Sequence, residues 1–337
     1  MEFSKTPQRS QNQDALKGIL FPVQQELLAL EEAIFGLLDS QIPFVRTVGE
    51  HILKNGGKRI RPILTIVCAK MTGFQGNRAA QVGACVEFLH TASLLHDDVI
   101  DNAKVRRGKT SANALWGNHV SVLVGDFFYS RASQLLIEQG NTRILKVLAD
   151  CTIATTEGEI WETLKSSDLD TNRDDYINII KLKTAFLFQA ACQVGGILGG
   201  VSDCFVKALS DYGLHLGMAF QLVDDILDYN ASEDVFGKSQ GIDLREGKLT
   251  LPLILSLGRA APDEKQVIKN AVLADKIDQE LFERVRQIIR KYHGFEDTLG
   301  LAVEHIAQAK QSLDPFRESL EKGILASLAD YVINRER

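Results

Sequence analysis

Apolar residues recur at i, i+3, i+4 and i+7 along nearly the whole chain, and no stretch shows the alternating, β-branched pattern of a strand. Only seven prolines interrupt that spacing in 337 residues, which leaves long helices free to form. The expected fold class is therefore all-α. With 45% hydrophobic and 24% charged residues the chain can bury a large core, and no Ser/Gly-rich linker, composition shift or short repeat marks a boundary. One large helical domain over residues 16–337, preceded by a disordered arm over 1–15, is the simplest organisation.

The formal net charge of −6 argues against nucleic acid as the main partner, so any polyanion site must be a local cluster of cations. Cys68, Cys85, Cys151, Cys192 and Cys204 lie in apolar contexts with no C-x-x-C pair, which points to buried thiols and a reducing cytoplasm. The longest apolar run, Ala185 to Val201, is broken by Gln189, Gln193 and glycines. It reads as a buried helix rather than a transmembrane segment, and no secretory signal follows the polar start of the chain.

Two helices carry matching acidic patches. Cys85, Val86, Leu89, Ala92 and Ser93 trace one small-to-apolar stripe, and Glu87, His90, Leu94, Asp97 and Asp101 trace a largely polar one beside it. Further on, Leu216, Phe220, Val223 and Leu227 form an apolar seam, while Gln221, Asp224, Asp225 and Asp228 gather on another face. The i, i+4 spacing stacks Asp97 over Asp101 and Asp224 over Asp228, with Asp98 and Asp225 beside them. Like charges stacked in this way repel. A hard cation such as Mg²⁺, bound through carboxylate oxygens and sharing its other positions with phosphate, resolves the repulsion. A solvated helix face explains one such cluster about as well, but not two set among apolar residues.

A diphosphate ligand also needs cations, and these stand at glycine-flexible points: Lys58, Arg59 and Arg61 in GGKRIRP, Arg106 and Arg107 in VRRG, Lys238 in FGKSQG, Lys248 in EGKLTLP, and Lys183 in KLKT. The segment SSDLDTNRDD, from Ser166 to Asp175, reads as an exposed acidic loop.

In this order, GGKRIRP, EFLHTASLLHDDVIDNAKVRRG, LVGDFFYSRA, EGEI, KLKTA, GMAFQLVDDILDY and FGKSQGIDLREGKLTLP resemble the trans-isoprenyl diphosphate synthases, the polyprenyl synthetase family, over roughly residues 45–255. Within that family the chain resembles long-chain members of the octaprenyl and solanesyl type. The resemblance implies a helical fold around a central cavity and homodimeric association. It also implies a magnesium-dependent prenyltransferase that condenses an allylic diphosphate primer with successive isopentenyl diphosphate units, for quinone side chains. Asp97 and Asp101, supported by Asp98, would bind metal from one helix, and Asp224, Asp225 and Asp228 from the other. Arg106, Lys183, Lys238 and Lys248 would hold the primer, and Lys58, Arg61, His90 and Arg107 the isopentenyl diphosphate. Thr184 and Gln221 match polar residues around the carbocation and the departing diphosphate.

The implied chemistry is ionisation of the primer, attack by the isopentenyl double bond and loss of a proton, which the released pyrophosphate can take. A terpene cyclase needs no second diphosphate site, and a non-catalytic subunit is expected to lose site residues; GGKRIRP with Arg107 and two intact aspartate motifs speak against both. A short-chain product is the alternative to a long one. Ser93 and Ala92, four and five residues before Asp97, are small where short-chain members carry a bulky aromatic, which implies an open tunnel for a long tail. One departure follows EGEI, where many long-chain relatives have a short residue and then glutamine but this chain has Trp161 and Glu162.

Overall fold

The computed structural model describes residues 7–54, 57–106, 108–230, 240–274 and 276–335, with side chains from residue 14 onward. Helices α1 (Pro7–Leu20), α2 (Gln24–Gly36), α3 (Pro43–Lys54), α4 (Ile60–Met71) and α5 (Arg78–Ile100) lead to a hairpin of β1 (Val105–Arg106) and β2 (Lys109–Thr110). There follow α6 (Ala112–Trp116), α7 (Asn118–Glu138), α8 (Thr142–Lys165), α9 (Arg173–Ile180), a π-helical turn (Lys181–Ala185), α10 (Phe186–Leu198) and α11 (Asp203–Asn230). The chain ends with α12 (Ile242–Arg245), α13 (Leu251–Arg259), α14 (Pro262–Val272), α15 (Gln279–Lys291), α16 (Gly294–Gln311) and α17 (Leu320–Asn334).

The fold is all-α. The described strands are two residues long, with Val105 opposite Thr110 and Arg106 opposite Lys109, and Gly108 takes a φ of 79° in the turn between them. Helix α1 begins at Pro7, within the segment expected as an arm, and Leu16 and Leu20, one turn apart, are buried at its C-terminal end. The acidic segment after α8 is shorter than its composition implies. Asn172 caps α9 by accepting from the amides of Asp174 (2.8 Å) and Asp175 (3.0 Å), so both aspartates sit in the first helical turn, where their charge suits the helix dipole.

The two acidic helices, α5 and α11, are linked through the core: α5 packs on α4 and α7, α4 on α10, and α10 on α11. Phe88 of α5 stacks on Phe128 of α7 with ring centroids 4.3 Å apart, and both are fully buried, each contributing about 1.5–3 kcal/mol by leaving water. Among the described residues no helix is long and apolar enough to cross a membrane.

Two close approaches position the site. A Cβ on Gly158 of α8 would lie 2.6 Å from the backbone nitrogen of Lys183, and one on Gly217 of α11 would lie 2.6 Å from Cα of Ala185. Glycine at these points lets α8 and α11 close on the π-helical turn from two sides. That turn carries an extra residue, since the Phe186 amide reaches back to the Lys181 carbonyl, an i→i+5 bond of the kind that recurs at functional sites.

Candidate active site

At the end of α5, Asp97 and Asp101 are half-buried and one turn apart, with the Asp101 amide donating to the Asp97 carbonyl at 2.8 Å. Asp98 is buried and accepts from Arg106 Nε at 2.5 Å, while its carbonyl accepts from Asn113 Nδ2 at 2.9 Å. Asp98 thus ties the hairpin and α6 to the end of α5. Burial, reinforced by Glu159 and Asp101 and opposed by Lys183 and Arg106, pushes the Asp97 carboxyl up to about 7.

On α11, Asp224 is half-buried, whereas Asp225 and Asp228 are buried inside the molecule. Thr184 Oγ1 donates to Gln221 Oε1 at 2.9 Å, and Gln221 Nε2 donates to Asp225 Oδ1 at 2.8 Å. The Tyr176 hydroxyl takes the other oxygen of Asp225. Burial raises the Asp225 carboxyl, Tyr176 and Gln221 oppose that rise, and Asp224 and Asp228 add to it. Asp228 Oδ2 accepts the Asp243 amide at 3.1 Å. Asp224 pairs with Arg335, which arrives from beyond α17 at 3.0 Å.

Lys183 and Lys248 stand between the walls. Lys183 Nζ lies 2.5 Å from Glu162 Oε2 and 2.7 Å from Glu159 Oε2. Lys248 Nζ lies 2.9 Å from Glu246, 3.4 Å from Glu162 and 3.8 Å from Asp101. Burial acts to raise the Glu162 carboxyl, but the two lysines hold it below the ordinary carboxylate value. A cavity of about 130 Å³ is bordered by Glu162, Tyr176, Lys183, Thr184, Gln221, Asp225, Asp243 and Lys248. Lys248 therefore touches the first acidic wall and borders the same cavity as the second.

A separate group gathers around α4. Arg61 Nη1 is 3.2 Å from His90 Nε2, and its guanidinium lies over the Phe188 ring at 4.4 Å. Lys58 is exposed, 5.3 Å over the Tyr331 ring. Arg59 turns inward instead, bonding Glu87, Glu31 and the Leu53 carbonyl, so Glu87 of the polar stripe is a buried ion-pair partner. Arg107 and Lys238 lie outside the described residues. Ala92 is fully buried, Ser93 Oγ donates to the His90 carbonyl at 2.8 Å, and neither residue borders the cavity.

The donor set fits a hard cation. It consists of carboxylate oxygens on two walls, crowded enough that burial and like charge raise Asp97 and Asp225, and an added cation relieves that crowding. Among the described residues no three His, Cys, Asp or Glu side chains form a cage, and magnesium needs none, because it is held by one or two carboxylates with water and phosphate.

Tyr176, Asp243, Glu159 and Arg335 were not legible as site residues. Glu159 and Glu162 carried a signal, being three apart on one face of α8, whereas Tyr176 is spaced like a core aromatic and Arg335 is remote in sequence from Asp224.

The sequence matches the polyprenyl synthetase family over residues 42–289. It is 39% identical to the octaprenyl diphosphate synthase of Escherichia coli K12, over 93% of this chain and 97% of that protein. Its fold is similar to a Caulobacter crescentus polyprenyl synthase solved with calcium and isoprenyl diphosphate, with a TM-score of 0.91 and 37% identity over 96% of this chain and 98% of that one. It is also similar to a decaprenyl diphosphate synthase from Rhodobacter capsulatus, with a TM-score of 0.90 and 38% identity over 96% and 99%. The shared helical architecture and the matched length together place the chain in one family: it belongs to the polyprenyl synthetases.

Proposed function

We propose that the chain is a long-chain trans-polyprenyl diphosphate synthase, which extends an allylic diphosphate by successive condensation with isopentenyl diphosphate. The observation that carries this reading is the position of Lys248, 3.8 Å from Asp101 of one acidic wall and on the same cavity as Asp225 of the other. A pocket with carboxylates on two sides and lysines between suits a metal-bound diphosphate, and the similar octaprenyl and decaprenyl synthases support a long product.

Asp97 and Asp101 would hold magnesium on one wall and Asp224 and Asp228 on the other, with Asp98 and Asp225 in support. Magnesium, when bound, neutralises the charge that develops on the leaving diphosphate. Lys183, Lys248, Arg106 and Lys238 hold the primer's diphosphate as its allylic bond breaks. Arg61, His90, Lys58 and Arg107 hold isopentenyl diphosphate so that its double bond faces the cation. Thr184 and Gln221, bonded to each other and to Asp225 on the border of the cavity, would lie beside the reacting cation. The departing pyrophosphate takes the proton, so no side-chain base is needed.

The free and mostly buried cysteines support a cytoplasmic setting. Leu123 and Ile137 on α7 and Ile153, Ile160 and Leu164 on α8 are exposed, and the three on α8 share one helical face, which supports a second copy of this chain as the partner.

Purified protein incubated with magnesium, labelled isopentenyl diphosphate and each allylic primer should make long all-trans products unaided. Asp97→Ala and Asp224→Ala should each slow condensation by about a hundredfold or more, the scale of losing a principal electrostatic stabiliser. Near-normal rates in either folded variant rule out the two-wall site, short products rule out the long-chain reading, and no turnover by the pure wild type points to a subunit that needs a partner.

A further inference from the structure

Helix α8 sets a carboxylate against both lysines of the primer pocket. Glu162 Oε2 lies 2.5 Å from Lys183 Nζ and 3.4 Å from Lys248 Nζ, so a single oxygen touches both ammonium groups. Each has other partners: Glu159 at 2.7 Å from Lys183, and Glu246 and Asp101 at 2.9 and 3.8 Å from Lys248. Glu162 is the residue common to the two. All three side chains are about one-fifth exposed, at 22%, 22% and 19% for Glu162, Lys183 and Lys248. The pairing thus sits in the cavity wall, out of bulk water and beside Thr184, Gln221 and Asp225.

Two ammonium groups brought together in a partly buried site repel each other and lose hydration, and a shared anion offsets both costs. An arriving diphosphate offers the same lysines more negative charge than one carboxylate does. It must nevertheless displace that carboxylate, and its net affinity is lower by the strength of the contact it replaces. The same holds in reverse when pyrophosphate leaves.

We propose that Glu162 is a resident counter-anion of the primer site. It occupies Lys183 and Lys248 when the site is empty, exchanges with the diphosphate on binding, and returns as pyrophosphate departs. The proposal rests on the assignment of Lys183 and Lys248 to the primer. Its consequence is a site whose lysines stay charged and oriented while empty and whose hold on pyrophosphate is weakened, which suits a chain that must clear this product after every condensation. Glu162 acts through the lysines and is a positioning residue.

The test is the affinity of magnesium pyrophosphate for the full-length protein, measured by calorimetry, together with the Michaelis constants of both substrates. Glu162→Gln keeps the shape and removes the charge. Its pyrophosphate dissociation constant and its primer KM should both fall by about tenfold, the effect of a ~1.4 kcal/mol contact, with the KM of isopentenyl diphosphate unchanged. Glu162→Asp, which keeps the charge, should stay near the wild type in both. If Glu162→Gln does not give a normal thermal melt, Glu162→Ser, which admits water to the ammonium groups, carries the same expectation. A folded neutral variant that binds pyrophosphate no more tightly than the wild type overturns the proposal. Lys183→Ala keeps the two readings apart. If it weakens pyrophosphate while Glu162→Gln does not tighten it, only the counter-anion role falls; if it leaves pyrophosphate affinity unchanged, the primer-site assignment falls and the proposal with it.

Discussion

Tyr176 on α9 donates its hydroxyl to Oδ2 of Asp225 on α11, so a buried aspartate of the second acidic motif is anchored by a residue that belongs to neither motif. Gln221 holds the other oxygen at 2.8 Å and itself accepts from Thr184 of the π-helical turn at 2.9 Å. The motif is thereby fixed to two further elements and cannot pivot with its own helix face alone.

Replacing Tyr176 by Phe leaves the ring and removes the donor. A hydrogen bond to a charged group contributes about 1.5–3 kcal/mol, and the acceptor left behind is buried. Tyr176→Phe should lower the thermal midpoint by several degrees and reduce kcat with little change in the KM of isopentenyl diphosphate. Differential scanning calorimetry and two-substrate kinetics measure both quantities; a variant with wild-type melting and turnover shows that Gln221 alone suffices to hold Asp225.

A second pair gives the fold a pH dependence remote from the chemistry. His215 of α11 and His305 of α16 bring their Nδ1 atoms within 2.9 Å of each other. Burial, with the neighbouring His215, lowers His305 to about 4. Burial also lowers His215, with Asp211 opposing and Lys207 adding. Both folded-state values lie below the ordinary imidazole value of 6.5, so as pH falls the unfolded chain takes up protons before the folded one does. This contribution to stability should be complete above pH 6.5, decline from there to about 4, and level off below. Allowing for the pair's partial exposure, the loss is on the order of 1–2 kcal/mol. Urea denaturation of wild type and His305→Gln at a series of pH values checks it. The variant should lose less stability across that interval, and parallel curves would falsify the assignment to this pair.

The helical fold and both aspartate clusters were legible because each depends on local spacing: Asp97 and Asp101 share a face of α5 in any helix, and Asp224 and Asp228 share one on α11. What escaped depends on how helices approach one another. Lys183 could be picked out as a cation in KLKT, but its pairing with Glu159 and Glu162 requires Gly158 to bring α8 onto the π-helical turn. Arg59 and Arg61 are equivalent in composition, yet Arg59 enters α4 at a φ of 50° and is consumed by Glu87 and Glu31, while Arg61 meets His90. Arg335 reaches Asp224 because α17 folds back on α11, a contact that no local pattern announces.

The course of the growing tail gives the last prediction. Ser93 and Ala92 precede Asp97 by four and five residues, which sets them about 6–7.5 Å along the helix axis from the first acidic wall. Ala92 is fully buried on the side of α5 that packs into the core, and Ser93 is half-buried with its hydroxyl turned back to the His90 carbonyl at 2.8 Å. A path for a hydrocarbon tail leaving the acidic wall is one reason for small side chains at these positions. Close helix packing is the competing reason for the same residues, and α5 and α7 do pack closely, with Phe88 on Phe128. Bulk distinguishes the two. If the tail passes here, Ser93→Phe and Ala92→Tyr should stop elongation after the first few condensations while ionisation of the primer continues at a normal rate. If the residues serve packing alone, the added volume costs about 1–3 kcal/mol of stability, visible in a thermal melt, and the product length stays as it was. Chromatography of the extracted prenols from folded, active variants decides between them, and long products from both Ser93→Phe and Ala92→Tyr would place the tail elsewhere.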